Sequence, residues 1–326
     1  MIKIGVVGTG SMGKNHARVC SELDNVDLVG IADFDKETAK IVADRVGTTA
    51  YYDYKELMPI TDAVIIATPT ITHYDIAKNF LNNGKHVLVE KPLCENVDKA
   101  ERLLKKTEDN LVFAVGHIER HNPAVGFIKE AMDNKRFGKL ITIASKRVSK
   151  LPGRIKDVGV IFDFGVHDID VMRYLGGEVE SVYARAGRFN ENIDYEDHAN
   201  VTLNFENSIC GIVEVNWLTP TKIRKLFLTC SETFVEADYI NQTVTLSSSS
   251  FKNIDEMDLF QVPIEYNTNQ VVLEKREPLK NEIQDFVNSI ENDKKPLVSC
   301  EDGLMALKIV EAATQSYKNR EEVKIL

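Results

Sequence analysis

Ile4-Gly5-Val6-Val7-Gly8-Thr9-Gly10-Ser11-Met12-Gly13 is the stretch that decides the fold. Ile2–Val7 reads as a short buried strand, and it runs directly into G-x-G-x-x-G at the start of a helix. In that pattern Gly8 permits a tight turn, Gly10 lets backbone approach a pyrophosphate, and Gly13 lets the helix pack closely on the sheet. The N–H groups at the start of that helix face the phosphates. Asp33 follows at the end of the next expected strand, where a carboxylate meets the adenosine ribose hydroxyls. A carboxylate there repels a 2′-phosphate, and Phe34 and Asp35 supply no cation to hold one, so NAD is expected over NADP.

Outward from this loop, short apolar runs alternate with helical segments. Val26–Ala32, Ala63–Ala67, Val87–Val89 and Leu111–Val115 read as strands buried on both faces. Met12–Leu23, Lys36–Val46, Tyr74–Asn82 and Val97–Glu108 read as helices, and the alternation implies right-handed crossovers in a doubly wound parallel sheet. Beyond a helix at Ala124–Lys135 the chain turns strand-rich. Lys139–Arg147, Val179–Arg188, Ala199–Asn204, Ile209–Trp217, Lys225–Thr229, Phe234–Tyr239 and Val244–Leu246 are expected to build a mostly antiparallel sheet. A helix near Gly159–Leu175 interrupts them and two helices close the chain, the last beginning at Ser299 with Asp302 in a capping-box spelling. Ser247–Ser250 reads as a loop. The expected fold class is α/β, with a Rossmann domain over 1–121 and an α/β domain with a large open sheet over 122–326.

With 326 residues the chain has room for two domains at roughly 150 residues each. A formal charge of −10 argues against nucleic acid as the main partner. No apolar run approaches the ~18 residues a membrane span needs, and the N-terminus lacks a signal-peptide layout. Five widely spaced cysteines with no C-x-x-C pair read as reduced thiols, so a soluble cytoplasmic protein is expected.

Two clusters carry candidate chemistry. Lys91, in Glu90-Lys91-Pro92, follows a parallel strand at the end where ligands sit in such sheets, and the proline restricts its backbone. Asp163 and His167 lie four apart in the interrupting helix, so a carboxylate can orient or charge-stabilise an imidazole that takes a proton. Asp170 is an alternative partner for His167. His117 and His121 lack the H-E-x-x-H spelling, and no metal is expected. His16 and His73 read as cofactor neighbours or packing residues, and Trp217 as core or as a stacking ring. Lys146, Arg147, Lys150, Arg154 and Lys156 form a basic stretch before the interrupting helix, either solvated or suited to a diphosphate.

Gly8-x-Gly10-x-x-Gly13-x-x-His16, Glu90-Lys91-Pro92, Gly116-His117-Ile118-Glu119-Arg120-His121-Asn122-Pro123 and Asp163-x-x-x-His167 together resemble the Gfo/Idh/MocA oxidoreductase family over nearly the full length. The resemblance implies a Rossmann domain, a second domain with an open sheet used in homodimers or homotetramers, a held nicotinamide cofactor and sugar or cyclitol substrates. It implies Lys91, Asp163 and His167 as catalytic residues. By the same resemblance Gly8, Thr9, Gly10, Ser11, Met12, Gly13, Asp33, Thr68, His73, Glu90 and Lys91 contact the cofactor, and Arg120, Arg147, Arg154 and His167 the substrate. His121 departs from the aromatic residue common in the family. Within the family, Gly116–Val125, Arg147–Asp170 and Asn216–Arg224 point to a UDP-sugar, with the 3-hydroxyl of UDP-N-acetylglucosamine as the expected site of oxidation. A different sugar or inositol dehydrogenase, or a non-catalytic NAD-binding regulator, are the alternatives.

Overall fold

The computed structural model describes residues 1–107, 110–151, 158–251 and 264–325. They form two compact units, Met1–His121 with Arg276–Glu311, and Asn122–Lys275 with Ala312–Leu326. In chain order the elements up to the first crossing are β1 (Ile2–Val7), α1 (Gly13–Glu22), β2 (Val26–Ala32), α2 (Lys36–Val46), β3 (Ala50–Tyr51), β4 (Ala63–Ile66), α3 (Thr70–Asn82), β5 (His86–Glu90), α4 (Val97–Leu104) and β6 (Phe113–Gly116). After it come α5 (Pro123–Asp133), β7 (Leu140–Lys150), α6 (Val166–Gly176), β8 (Val179–Gly187), β9 (His198–Phe205), β10 (Cys210–Asn216), β11 (Leu218–Cys230), β12 (Phe234–Asp238), β13 (Thr243–Phe251), β14 (Ile264–Val271), α7 (Pro278–Glu291), α8 (Cys300–Asn319) and β15 (Val323–Lys324).

In the first unit the strands run parallel in the order β3-β2-β1-β4-β5-β6. Strand order reverses between β1 and β4, and ligands of open α/β sheets bind outside the carboxyl ends of the strands at such a point. Ile4, Val6 and all of Ala63–Ile66 are buried, as central strands covered on both faces require. α2 starts where Asp35 accepts the N–H groups of Glu37 and Thr38, and stops at Gly47 with φ +73°. α3 begins four residues before the expected Tyr74, because the β-branched Thr70-Ile71-Thr72 hides a helical turn from propensity alone.

The segment 276–311 belongs to this unit, whereas the sequence suggested that everything from 122 onward lies in the second domain. Leu279, Ile283, Phe286 and Val287 of α7 share one core with Ile4, Ala17, Val19 and Leu88. Val298 O accepts the N–H of Val115 at 3.2 Å and Ser299 bridges Ala114, so the returning chain covers the β6 edge of the sheet. Ser299 and Asp302 exchange hydrogen bonds at the start of α8, as a capping box should.

The second unit holds a nine-stranded sheet in the order β14-β13-β12-β11-β7-β10-β9-β8-β15, antiparallel except for the β7–β10 pair. Alternation sets its two faces: Gly211, Val213 and Val215 of β10 are buried while Ile212, Glu214 and Asn216 point outward. Ser247–Ser250 is not a loop. It lies in β13, paired with β14, where Ser247 stands opposite Thr268 and Ser249 opposite Tyr266. Cross-strand hydroxyl contacts, such as Tyr266 Oη donating to Ser247 Oγ at 3.2 Å, suit serine to this edge hairpin. The interrupting helix also differs from one continuous α-helix: Ile161–Gly165 is a π-helical turn, and α6 follows it.

Candidate active site

The first unit gathers a dinucleotide cradle at the carboxyl ends of its strands. Gly8 has φ +93°, and a Cβ there would lie 2.5 Å from the Ala67 carbonyl oxygen. A Cβ on Gly13 would stand 1.8 Å from the Gly8 oxygen, so only glycine lets α1 start this close to the loop. Around Gly10 a Cβ would meet nothing, which leaves that side of the loop open to a phosphate. No side chain caps the start of α1, which follows this loop directly. The Asp33 carboxylate is pinned at the end of β2 by Thr9 N and Thr9 Oγ1, each 2.7 Å from Oδ2, and by Asp35 N at 3.0 Å from Oδ1. These residues fit a dinucleotide with a free ribose diol.

Glu90, Lys91 and His73 lie at the ends of β5 and α3. Glu90 is buried; Oε1 faces His16 Nε2 at 2.8 Å and Oε2 accepts the Lys91 backbone N–H at 3.2 Å. Burial pushes its carboxyl up, but the His16 hydrogen bond and the electrostatic influence of His16, Lys91 and His73 outweigh this and hold it below the usual value. His73 is buried beneath the loops, with Nδ1 3.0 Å from Pro92 O and Nε2 2.9 Å from Thr68 O. Its ring lies between the loop after β4 and the loop after β5, and desolvation lowers its pKa. Lys91 is half-buried and precedes a cis peptide bond to Pro92.

The second unit carries Asp163 in the π-helical turn and His167 in the first turn of α6. Between Asp163 and Asp170, His167 is the one polar side chain that is not buried. The turn is held from three sides. Glu196 Oε1 accepts Ile161 N at 3.2 Å, and its backbone oxygen accepts Val160 N at 3.0 Å. Phe164 meets buried Trp217 edge-on, with ring centroids 6.2 Å apart, so this tryptophan packs under the turn. Asp168, adjacent to His167, receives Arg147 Nε at 2.6 Å from β7. π-turns of this kind recur at functional sites.

Two expected substrate cations are placed otherwise. Arg147 is 1% exposed, paired with Asp168 and stacked over Tyr239 with 5.6 Å between guanidinium carbon and ring centroid. It sits at an inward position of β7, in register with Ser145 and Ile143, and so offers no surface charge to a diphosphate. Arg120 is likewise buried, with Nη2 3.2 Å from Asp302 and Nη1 3.4 Å from Leu297 O. Lys146 points outward but pairs with Glu214 at 2.9 Å. Arg154 and Lys156 lie outside the described residues. His117 and His121 are buried in the first unit. The sequence did not single out Glu196 or Glu282, because their partners are distant along the chain.

Comparison with known proteins decides the family. A profile described as the oxidoreductase family, NAD-binding Rossmann fold, matches residues 2–117. The GFO/IDH/MocA C-terminal domain matches 126–235, and the oxidoreductase-family C-terminal alpha/beta domain matches 232–325. The chain belongs to the Gfo/Idh/MocA oxidoreductase family. As a member it is an NAD-binding oxidoreductase, and its similar proteins are named dehydrogenases. UDP-N-acetylglucosamine 3-dehydrogenase of Acidithiobacillus ferrooxidans is 28% identical over 96% of each chain, and a crystal form of that enzyme superposes with a TM-score of 0.87 at 25% identity over 98% of each chain. Myo-inositol 2-dehydrogenase of Thermotoga maritima is 27% identical over 99% of this chain and 98% of its own. A structure of levoglucosan dehydrogenase in complex with NADH is similar in fold, with a TM-score of 0.87 at 21% identity over 100% of this chain and 99% of its own. Among the described residues no helix is long and apolar enough to cross a membrane.

Proposed function

We propose that this chain oxidises the 3-hydroxyl of UDP-N-acetylglucosamine to the 3-keto sugar nucleotide. The observation that carries the proposal is likeness along nearly all of both chains to an enzyme of that name, at the level of sequence and of fold. NAD, when bound, supplies the acceptor for the hydride leaving the sugar carbon. The loop Gly8-Thr9-Gly10-Ser11-Met12-Gly13 with Asp33 holds the dinucleotide, and Thr68 and Glu90 line the loops beside it. His167 takes the hydroxyl proton, Asp163 orients and charge-stabilises the imidazole, and Lys91 stabilises the oxygen as it gains negative charge. With Arg120 and Arg147 buried, Arg154 is the remaining diphosphate ligand of the three arginines. Ile212, Phe227 and Phe234 crowd the outer face of the nine-stranded sheet, and that face serves a homodimer or homotetramer.

An inositol dehydrogenase is the second reading, favoured by the Thermotoga maritima relative. A panel of UDP-sugars, free sugars and inositols, followed by NADH formation, separates the two. UDP-N-acetylglucosamine is expected to show the highest kcat/KM; turnover of inositol alone would select the second reading.

A further inference from the structure

Within the first unit three buried side chains converge from three elements: His16 of α1, Glu90 of β5 and Glu282 of α7. Their ligating atoms all lie within 4.8 Å of one another. Only the pair His16 Nε2 and Glu90 Oε1 is at hydrogen-bond distance, 2.8 Å. Glu282 is 2% exposed, and neither of its carboxylate oxygens has a hydrogen-bond partner among the described residues. Such a residue has two ways to be tolerated: a cation beside it, or a proton on it. Two ligands of one tetrahedral zinc ion stand about 3.3 Å apart, so the 2.8 Å contact is a proton's distance and not an ion's.

We infer that Glu282 is a positioning residue kept as an uncharged acid, so that Glu90 alone carries the negative charge that fixes Lys91. This rests on the proposed role of Lys91. Glu90 divides its oxygens between His16 and the Lys91 N–H. Gly116, opposite Glu90 on β6, leaves it just enough room, since a Cβ there would lie 3.3 Å from both its Cα and its Oε2. An ionised Glu282 would compete for His16 and repel Glu90 from behind. The titratable and charged groups on the elements packed about this cluster are His16 from α1, His73 from α3, Lys91 after β5, Asp285 from α7 itself, and the buried Glu119, Arg120 and His121 of the turn against which α7 packs. Burial first, then the charges of Glu90 and Asp285, push the Glu282 carboxyl well above its ordinary value. The native state therefore holds a proton that the unfolded chain releases above the ordinary carboxyl pKa. In the window between the two pKa values stability falls as pH rises, by a factor of about ten in the folding equilibrium per pH unit.

The test uses the full-length protein and its E282Q variant, with E282M as a second uncharged replacement. Denaturant unfolding and NAD affinity are followed from about pH 4.5, the ordinary carboxyl range, to about pH 9. Wild-type stability is expected to decline as pH rises through that range and its NAD affinity to weaken several-fold at the alkaline end, while E282Q stays flatter in both, meets the wild-type stability at the acid end and binds NAD like wild type there. Neither readout needs a sugar substrate, so a wrong substrate leaves this result intact. A flat wild-type profile, or variant curves that superimpose on a sloping wild type, would overturn the inference. So would stoichiometric divalent metal in the wild type that is lost in E282Q.

Discussion

The proposed chemistry turns on His167 and Lys91. Changing either to Ala should lower turnover by roughly 10²–10⁴-fold while NAD still binds, because neither builds the glycine cradle. Stopped-flow reduction of NAD beside equilibrium NAD binding reads both halves; native turnover in a folded variant would remove that residue from the mechanism. Arg147 makes the opposite prediction. Its pair with Asp168 is buried on both sides, and removing one partner of a buried pair costs about 3–5 kcal/mol. R147A should therefore lose that much in urea unfolding, whereas a surface diphosphate ligand would raise KM and leave stability alone. Asp33, Lys91 and His167 were legible in the sequence because a motif fixes their place at a strand end or helix start. Arg147 was misread because its basic neighbours suggested a solvated stretch, although Ile143, Ser145 and Arg147 alternate as one inward face. Glu282 carried no local signal at all, since what makes it unusual comes from α1 and β5.

The π-turn ahead of α6 is the element that sets the position of Asp163. Gly159 lies two residues ahead of it, and a Cβ there would stand 2.0 Å from Glu196 Oε1. G159A would push that carboxylate off Ile161 N–H, leaving a buried donor unmet at about 1–3 kcal/mol. Thermal unfolding should register the loss, and activity should fall with it. E196Q, which keeps an acceptor oxygen, should retain more of both; equal loss in the two variants would mean that Glu196 does not organise the turn through this bond. Helix and strand periods located the parallel elements within a few residues. They missed the π-turn, which shares the apolar spacing of an α-helix, and the second half of β13 beyond Leu246, whose serines carry no alternation of hydrophobicity.

At the scale of the whole chain, both sheets were readable from sequence, but the return of 276–311 to the first unit was not. The apolar stripe of α7 shows that it packs somewhere; which core receives it is a tertiary fact. Acid should expose a second consequence of the fold. Glu90, with its carboxyl held below the ordinary value mainly by His16 against the cost of burial, adds stability above that value. This contribution is lost as pH falls through the lowered pKa. E90Q should flatten the acid side of a stability–pH curve; an unchanged acid limb would remove Glu90 as its source. The central proposal, oxidation at C3 of a UDP-sugar with NAD, is tested most directly by UDP-N-acetylglucosamine carrying deuterium at C3. Deuterium is expected in the reduced nicotinamide, with a slowed hydride step and a 3-keto product. Reduction of NAD that leaves the C3 label in the sugar, or no reduction by this substrate, would contradict it.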